Sequence, residues 1–179
     1  DPVLEELKPD WVLAVGDTTT VVTTCQLAFY RRIKFGHVEA GLRTHNKWHP
    51  FPEEINRRLA TTMADLHFAP TTWSQKNLLH EGVDEKDIVV TGNPVIDALK
   101  YVSEQAESKE ITDLLAKFNG KRIVLVTAHR RENFGQPIEN ICQALKELAS
   151  RGDVEIVYPV HLNPNVQEPV NRILKGIKG

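Results

Sequence analysis

The segment WVLAVGDTTTVVTTCQLAFYRRIKFGHVE, running from Trp11 to Glu39, decides the fold. Trp11 to Val15 is a short apolar run, the right length for a buried strand and too short for a helix. Thr18 to Ile33 is apolar and threonine-rich, long enough to need a helix although Thr and Val are poor helix formers. Lys34 to Glu39 then reads as a second strand. A strand, a crossover helix and another strand form one βα unit of a parallel sheet.

The same rhythm continues outward. Pro52 to Met63 places Glu53 and Glu54 in a first turn and Arg57 and Arg58 one turn on, a helix start by charge placement. Leu66 to Ala69 is the next strand. Thr72-Trp73-Ser74-Gln75 fits a capping box, with Gly82 at the end of that helix, and Ile88 to Thr91 is a further strand. Gly92-Asn93-Pro94 breaks the pattern and the chain turns polar over Ser103 to Asp113. The expected joint therefore lies near Gly92, with residues 1–92 forming one Rossmann-like part and 93–179 a linking helix and the first part of another. That second part reads Arg122 to Thr127 as strand, Pro137 to Ser150 as helix, Val154 to Val160 as strand and Asn163 to Lys175 as helix. The fold class is α/β, with parts of two Rossmann-like, doubly wound parallel-sheet domains. Parallel strands are normally buried on both faces in sheets of about five or six, so both parts read as cut.

Composition sets the limits. Of 179 residues, 41% are apolar and 26% charged, enough apolar side chains for a core and too many for wholesale disorder. Lys plus Arg (22) against Asp plus Glu (24) leaves a charge of −2, too balanced for a chain built to bind nucleic acid or anionic lipid. No apolar run nears the roughly 18 residues of a membrane span, and no signal peptide is expected at Asp1-Pro2, so the cytoplasm is the expected compartment. Cys25 and Cys142 stand far apart and read as small buried hydrophobes rather than a disulfide or a metal site.

In doubly wound sheets, ligands bind beyond the carboxyl ends of the strands. Those positions carry Asp17, then Glu39 to Thr44, then His129 to Glu132, then His161 to Asn163. Each has a plainer reading. Asp17 could cap the helix that follows it. Glu39 follows a strand about to become buried, where a carboxylate is costly unless it is partnered or neutralised, and Arg43 is a candidate partner. Glu53 and Glu54 could serve only the helix dipole and the arginines one turn on. His129-Arg130-Arg131-Glu132 suits diphosphate oxygens but could be a solvated charge cluster. His37, Glu39, His45 and His49 invite a metal, yet the Pro-Cys-x-x-Cys that would complete a deaminase-like site and His-Glu-x-x-His are both absent. Neither a metal nor a cofactor is expected. Gly-x-Gly-x-x-Gly, a phosphate-binding loop and Gly-x-Ser-x-Gly are also missing.

Five strings carry a resemblance: VGDTTT (Val15 to Thr20), HVEAGLRT (His37 to Thr44), PFPEEINR (Pro50 to Arg57), TGNPVIDAL (Thr91 to Leu99) and HRRENFG (His129 to Gly135). In order and spacing they are similar to bacterial non-hydrolysing UDP-N-acetylglucosamine 2-epimerases, from one end of the chain to the other. The resemblance implies an isomerase of glycosyltransferase-B architecture, about twice this length, that interconverts UDP-GlcNAc and UDP-ManNAc by eliminating and re-adding UDP through 2-acetamidoglucal. It implies catalytic roles for Asp17, Glu39, Glu53 and His129. Arg43, Arg130, Arg131, Glu132 and His161 are counted as substrate-binding. Arg130 and His161, with Glu53, match positions linked to a second, regulatory UDP-GlcNAc. The ligands implied are UDP-GlcNAc, UDP-ManNAc and UDP, in a homodimer that serves polysaccharide synthesis. The amino-terminal loop and the carboxyl-terminal nucleotide-gripping segment of the family have no counterpart here, so these 179 residues alone are expected to be inactive. A glycosyltransferase and a non-catalytic nucleotide-sugar sensor are the competing readings.

Overall fold

The computed structural model describes residues 2–118 and 120–177. The chain divides into two compact units, Asp1–Gln105 and Ala106–Gly179.

After the short helix α1 (Pro2–Leu7), the first unit alternates β1 (Trp11–Val15), α2 (Thr19–Tyr30), β2 (Lys34–Val38), α3 (Glu53–Met63), β3 (Leu66–Ala69), α4 (Thr72–His80) and β4 (Ile88–Val90), and ends with α5 (Pro94–Ser103). The helix expected behind Gly92 is thus α5, and it belongs with the first unit. The four strands are parallel and lie in chain order, β1-β2-β3-β4. Register places Ala14 beside His37 and His37 beside His67, so alternate residues Val12 and Ala14, Phe35 and His37, His67 and Ala69 share one face.

Helices α2, α3 and α4 pack on that face. Val21, Cys25 and Ala28 of α2 form a stripe at helical spacing against Phe35, which is how packing overrides the weak propensity of a Thr- and Val-rich segment. On the other face Leu13 and Val15 stay about 60% exposed, so the expectation of strands buried on both sides is not met by the described residues.

Two helix ends explain shifted boundaries. Helix α2 stops at Tyr30, short of the expected Ile33, because Arg32 takes a left-handed conformation (φ 57°). Ile33 N–H then reaches the Ala28 carbonyl (2.9 Å), and Arg32 N–H the Phe29 carbonyl (3.1 Å), the paired bonds of a Schellman cap. Gly82 closes α4 in the same way, as expected. The α4 start is a correction: Thr71, not Thr72, is the cap, with its hydroxyl accepting the Ser74 N–H at 3.1 Å.

The second unit holds α6 (Lys109–Ala116), β5 (Arg122–Leu125), α7 (Gln136–Ser150), β6 (Val154–Val157) and α8 (Pro164–Leu174). Strands β5 and β6 pair in parallel, and Cys142, Val166, Val170 and Ile173 form the core between α7 and α8. Both strands end earlier than expected. Thr127 and Val160 lie beyond them, in the loops that carry the histidines.

Candidate active site

In the first unit, the carboxyl ends of β1 and β2 and the start of α3 meet at one edge. Gly16 turns the chain out of β1 with φ 90°, and a side chain there would begin 3.6 Å from Glu39 Oε2. The His37 ring, wholly buried, holds this turn: its Nε2–H donates to the Gly16 carbonyl at 2.8 Å, leaving Nδ1 buried without a partner among the described residues. Burial is the main influence on His37 and pushes its pKa down, which keeps the imidazole neutral.

Asp17 does not cap α2. Thr18 does, its hydroxyl accepting the Val21 N–H. The Asp17 carboxylate instead pairs with the Arg57 guanidinium, and its backbone carbonyl accepts from Asn56 Nδ2 at 2.9 Å. One helix, α3, therefore grips Asp17 at both ends.

Glu39 is the first residue past β2 and sits in the left-handed region (φ 68°), a conformation that costs a non-glycine residue about 1–2 kcal/mol and recurs at functional sites. Its Oε1 accepts from Asn93 Nδ2 at 2.9 Å, while Asn93 Oδ1 caps α5 by accepting the Val95 N–H. The anticipated Arg43 partnership is not formed. The Arg43 side chain is fully buried, forked onto Glu81 (2.8 and 2.7 Å), and also donates to Thr61 Oγ1 and the Leu42 carbonyl. Glu81 wins because two parallel N–H···O bonds are available to it, and the arginine in turn holds its carboxyl below the ordinary carboxylate range.

The two glutamates at the start of α3 separate cleanly. Glu54, 1% exposed, accepts the Thr44 and His45 N–H groups at 3.1 Å each and lies 3.4 Å from Arg57 Nη1, so it is a structural clamp. Glu53 has no such work. Its Oε2 is buried with no hydrogen-bond partner among the described residues, an arrangement that invites a proton or a ligand group. Charge placement alone accounted equally for both; the structure assigns that role to Glu54 and leaves Glu53 over.

In the second unit, the loops after β5 and β6 bring His129 and His161 together, their rings stacked at 5.2 Å and 12°. Thr127 Oγ1 lies 3.3 Å from His129 Nδ1, and His161 Nδ1 accepts the Asn163 N–H at 3.0 Å. Arg130 precedes a 3-10 turn, Arg131–Asn133. Arg130, Arg131 and Glu132 are exposed, and no ion pair among the described residues ties these arginines down. Cationic and neutral donors thus sit together at a strand end, free to take an anion. Among the described residues no three His, Cys, Asp or Glu side chains come together as metal ligands.

A family model described as UDP-N-acetylglucosamine 2-epimerase matches residues 1–179. The chain belongs to this family. UDP-N-acetylglucosamine 2-epimerases of Yersinia pestis and Escherichia coli K12 are 54% and 52% identical to it, over 98% and 99% of its length and 49% of theirs. The chain thus spans about half the length of the curated relatives it matches. Among solved structures, Neisseria meningitidis UDP-GlcNAc 2-epimerase bound to UDP-GlcNAc superposes with a TM-score of 0.92 at 44% identity, covering 98% of this chain and 49% of that one. The S. aureus MnaA–UDP structure gives 0.90 at 46% identity, covering 98% and 46%. The α/β architecture with parallel sheets is the epimerase fold.

Sequence reasoning missed several residues that organise this edge. Arg57 and Asn93 lay inside the PFPEEINR and TGNPVIDAL strings, so the strings pointed to them without showing their partners. From sequence His37 reads only as a candidate metal ligand, and the Gly16 carbonyl that it holds is a backbone group with no signal in the sequence.

Proposed function

We propose that the protein carrying this chain interconverts UDP-GlcNAc and UDP-ManNAc by eliminating and re-adding UDP. Carbon 2 of the sugar has no neighbouring carbonyl, so a carboxylate with an ordinary pKa near 4 is too weak a base to remove its proton unaided. Breaking the bond from carbon 1 to the UDP oxygen first gives carbon 1 oxocarbenium character and acidifies that proton. A carboxylate then takes it, giving 2-acetamidoglucal and UDP. Protonation of carbon 2 on the opposite face and return of the UDP oxygen to carbon 1 complete the exchange.

In this reading Asp17, Glu39 and Glu53 handle the carbon 2 proton, and His129 with Arg130, Arg131 and His161 receives the charge on the departing diphosphate. Arg43, engaged by Glu81, is left out. Glu132 stands beside the arginines as a lesser contact, and Arg130 and His161 also serve a second, regulatory UDP-GlcNAc. What carries the reading is the placing of Asp17 and Glu39 just past the adjacent strands β1 and β2 and of Glu53 at the start of α3, whose Asn56 and Arg57 hold Asp17; Glu53 keeps a buried oxygen with no partner among the described residues, and Glu39 a strained backbone conformation. No helix among the described residues is long and apolar enough to cross a membrane.

The test is proton NMR of UDP-GlcNAc incubated with the full-length protein. Appearance of UDP-ManNAc without an acceptor supports the reading. Turnover only with an added acceptor would make the protein a transferase, and binding without turnover would make it a sensor.

A further inference from the structure

Arg57 lies on the second turn of α3, is 9% exposed, and is the only side chain among the described residues that holds the Asp17 carboxylate. A carboxylate at a helix start would ordinarily cap it, but Thr18 has taken that position and leaves Asp17 free to point elsewhere. The guanidinium is itself oriented from its other side by Glu54. Glu54 in turn is fixed by the backbone N–H groups of Thr44 and His45, the latter in a left-handed conformation (φ 59°). A continuous chain of charge-assisted contacts therefore runs from the Thr44–His45 loop through Glu54 and Arg57 to Asp17, with Asn56 anchoring the Asp17 backbone from the same helix.

We propose that Arg57 is a positioning residue for Asp17: it aims the carboxylate at the reacting carbon, and Glu54 sets the aim by tying the guanidinium to the Thr44–His45 loop. This rests on the reading of Asp17 as a proton-transfer carboxylate. Arg57 touches no reacting atom. Its planar fork serves two carboxylates on different sides at once, which the single ammonium of a lysine does not reproduce. Displacing a catalytic group by about 1 Å costs on the order of 100-fold in rate.

The test is a double-mutant cycle on turnover of UDP-GlcNAc by the full-length enzyme, with folding of every variant followed by tryptophan fluorescence. Arg57→Lys is expected to lower kcat by about 10- to 100-fold with KM changed less than about threefold. In an Asp17→Asn background the same substitution is expected to change the residual rate, read by long NMR incubations, less than about twofold, since there is no carboxylate left to aim. Glu54→Gln, a milder change, serves as the second variant should Arg57→Lys unfold, with a smaller fall in kcat that again vanishes in the Asp17→Asn background. Equal losses in both backgrounds would make the network merely structural and overturn the proposal, as would a wild-type kcat for Arg57→Lys. Failure of the unsubstituted enzyme to epimerise UDP-GlcNAc would instead overturn the assigned function, so the two failures are told apart.

Discussion

Replacing His67 with leucine should remove much of the first unit's sensitivity to mild acid. His67 lies on β3 beside His37, is 1% exposed, and has a buried Nδ1 without a partner among the described residues. Burial, aided by His37 and Arg43 and opposed by Asp87 and Asp65, pushes its pKa from 6.5 to about 4. The folded state therefore binds this proton later than the unfolded chain. Stability from keeping the ring neutral is complete above pH 6.5 and is lost as pH falls from 6.5 toward 4, with a slope approaching about 1.4 kcal/mol per pH unit and a total of about 3 kcal/mol. In a leucine variant this contribution disappears, while the smaller one from His37, lowered in the same direction, remains. Trp11, Trp48 and Trp73, the tryptophans of these 179 residues, all lie in the first unit, so the fluorescence of the 179-residue chain in urea reports that unit. With an m-value of about 1.5 kcal/mol/M, the wild-type midpoint should fall by about 2 M more than the variant's between pH 7 and pH 4. Midpoints that fall in parallel for the two proteins would refute the argument.

Gly41→Ala should destabilise the same unit by more than about 3 kcal/mol in that assay, because φ is 86° and a Cβ would lie 2.3 Å from the Ser74 carbonyl oxygen; Gly82→Ala, left-handed but in open space, should cost only about 1 kcal/mol. Glu81→Gln weakens the pair that neutralises the fully buried Arg43 and should cost about 2–3 kcal/mol at pH 7. Because the Glu81 carboxyl is held below its ordinary value, its contribution is complete above about pH 4.5 and fades as pH falls through the folded value. The Gln variant should therefore lose less stability than wild type in that acid window, as a urea series at pH 5, 4 and 3 would show.

The alternation of β-branched runs and helical stretches made the fold legible, since each strand is short, apolar and followed by a chain reversal. Boundaries were less so, and for local reasons: Thr71 and Thr72 are equally good caps on paper, and only the extended backbone of Thr71 makes it the cap used. At the site, Asp17, Glu39 and Glu53 were legible as charged residues just past apolar runs or at a helix start. Their partners were not. Glu81 lies 38 residues from Arg43, and Asn93 lies 54 from Glu39, separations at which sequence carries no pairing signal. Nor does any side-chain pattern announce that Glu39 is held at φ 68°, because glutamate there runs against backbone preference.

If, as proposed, these carboxylates move the proton at carbon 2, hydrogen exchange at that carbon depends on each of them. Full-length enzyme incubated with UDP-GlcNAc in heavy water should place deuterium at carbon 2 of both epimers, and Asp17→Asn, Glu39→Gln and Glu53→Gln should each slow that exchange by at least about 100-fold while still binding UDP. Epimer formed with its original hydrogen retained at carbon 2, or exchange at the wild-type rate in all three variants, would contradict it.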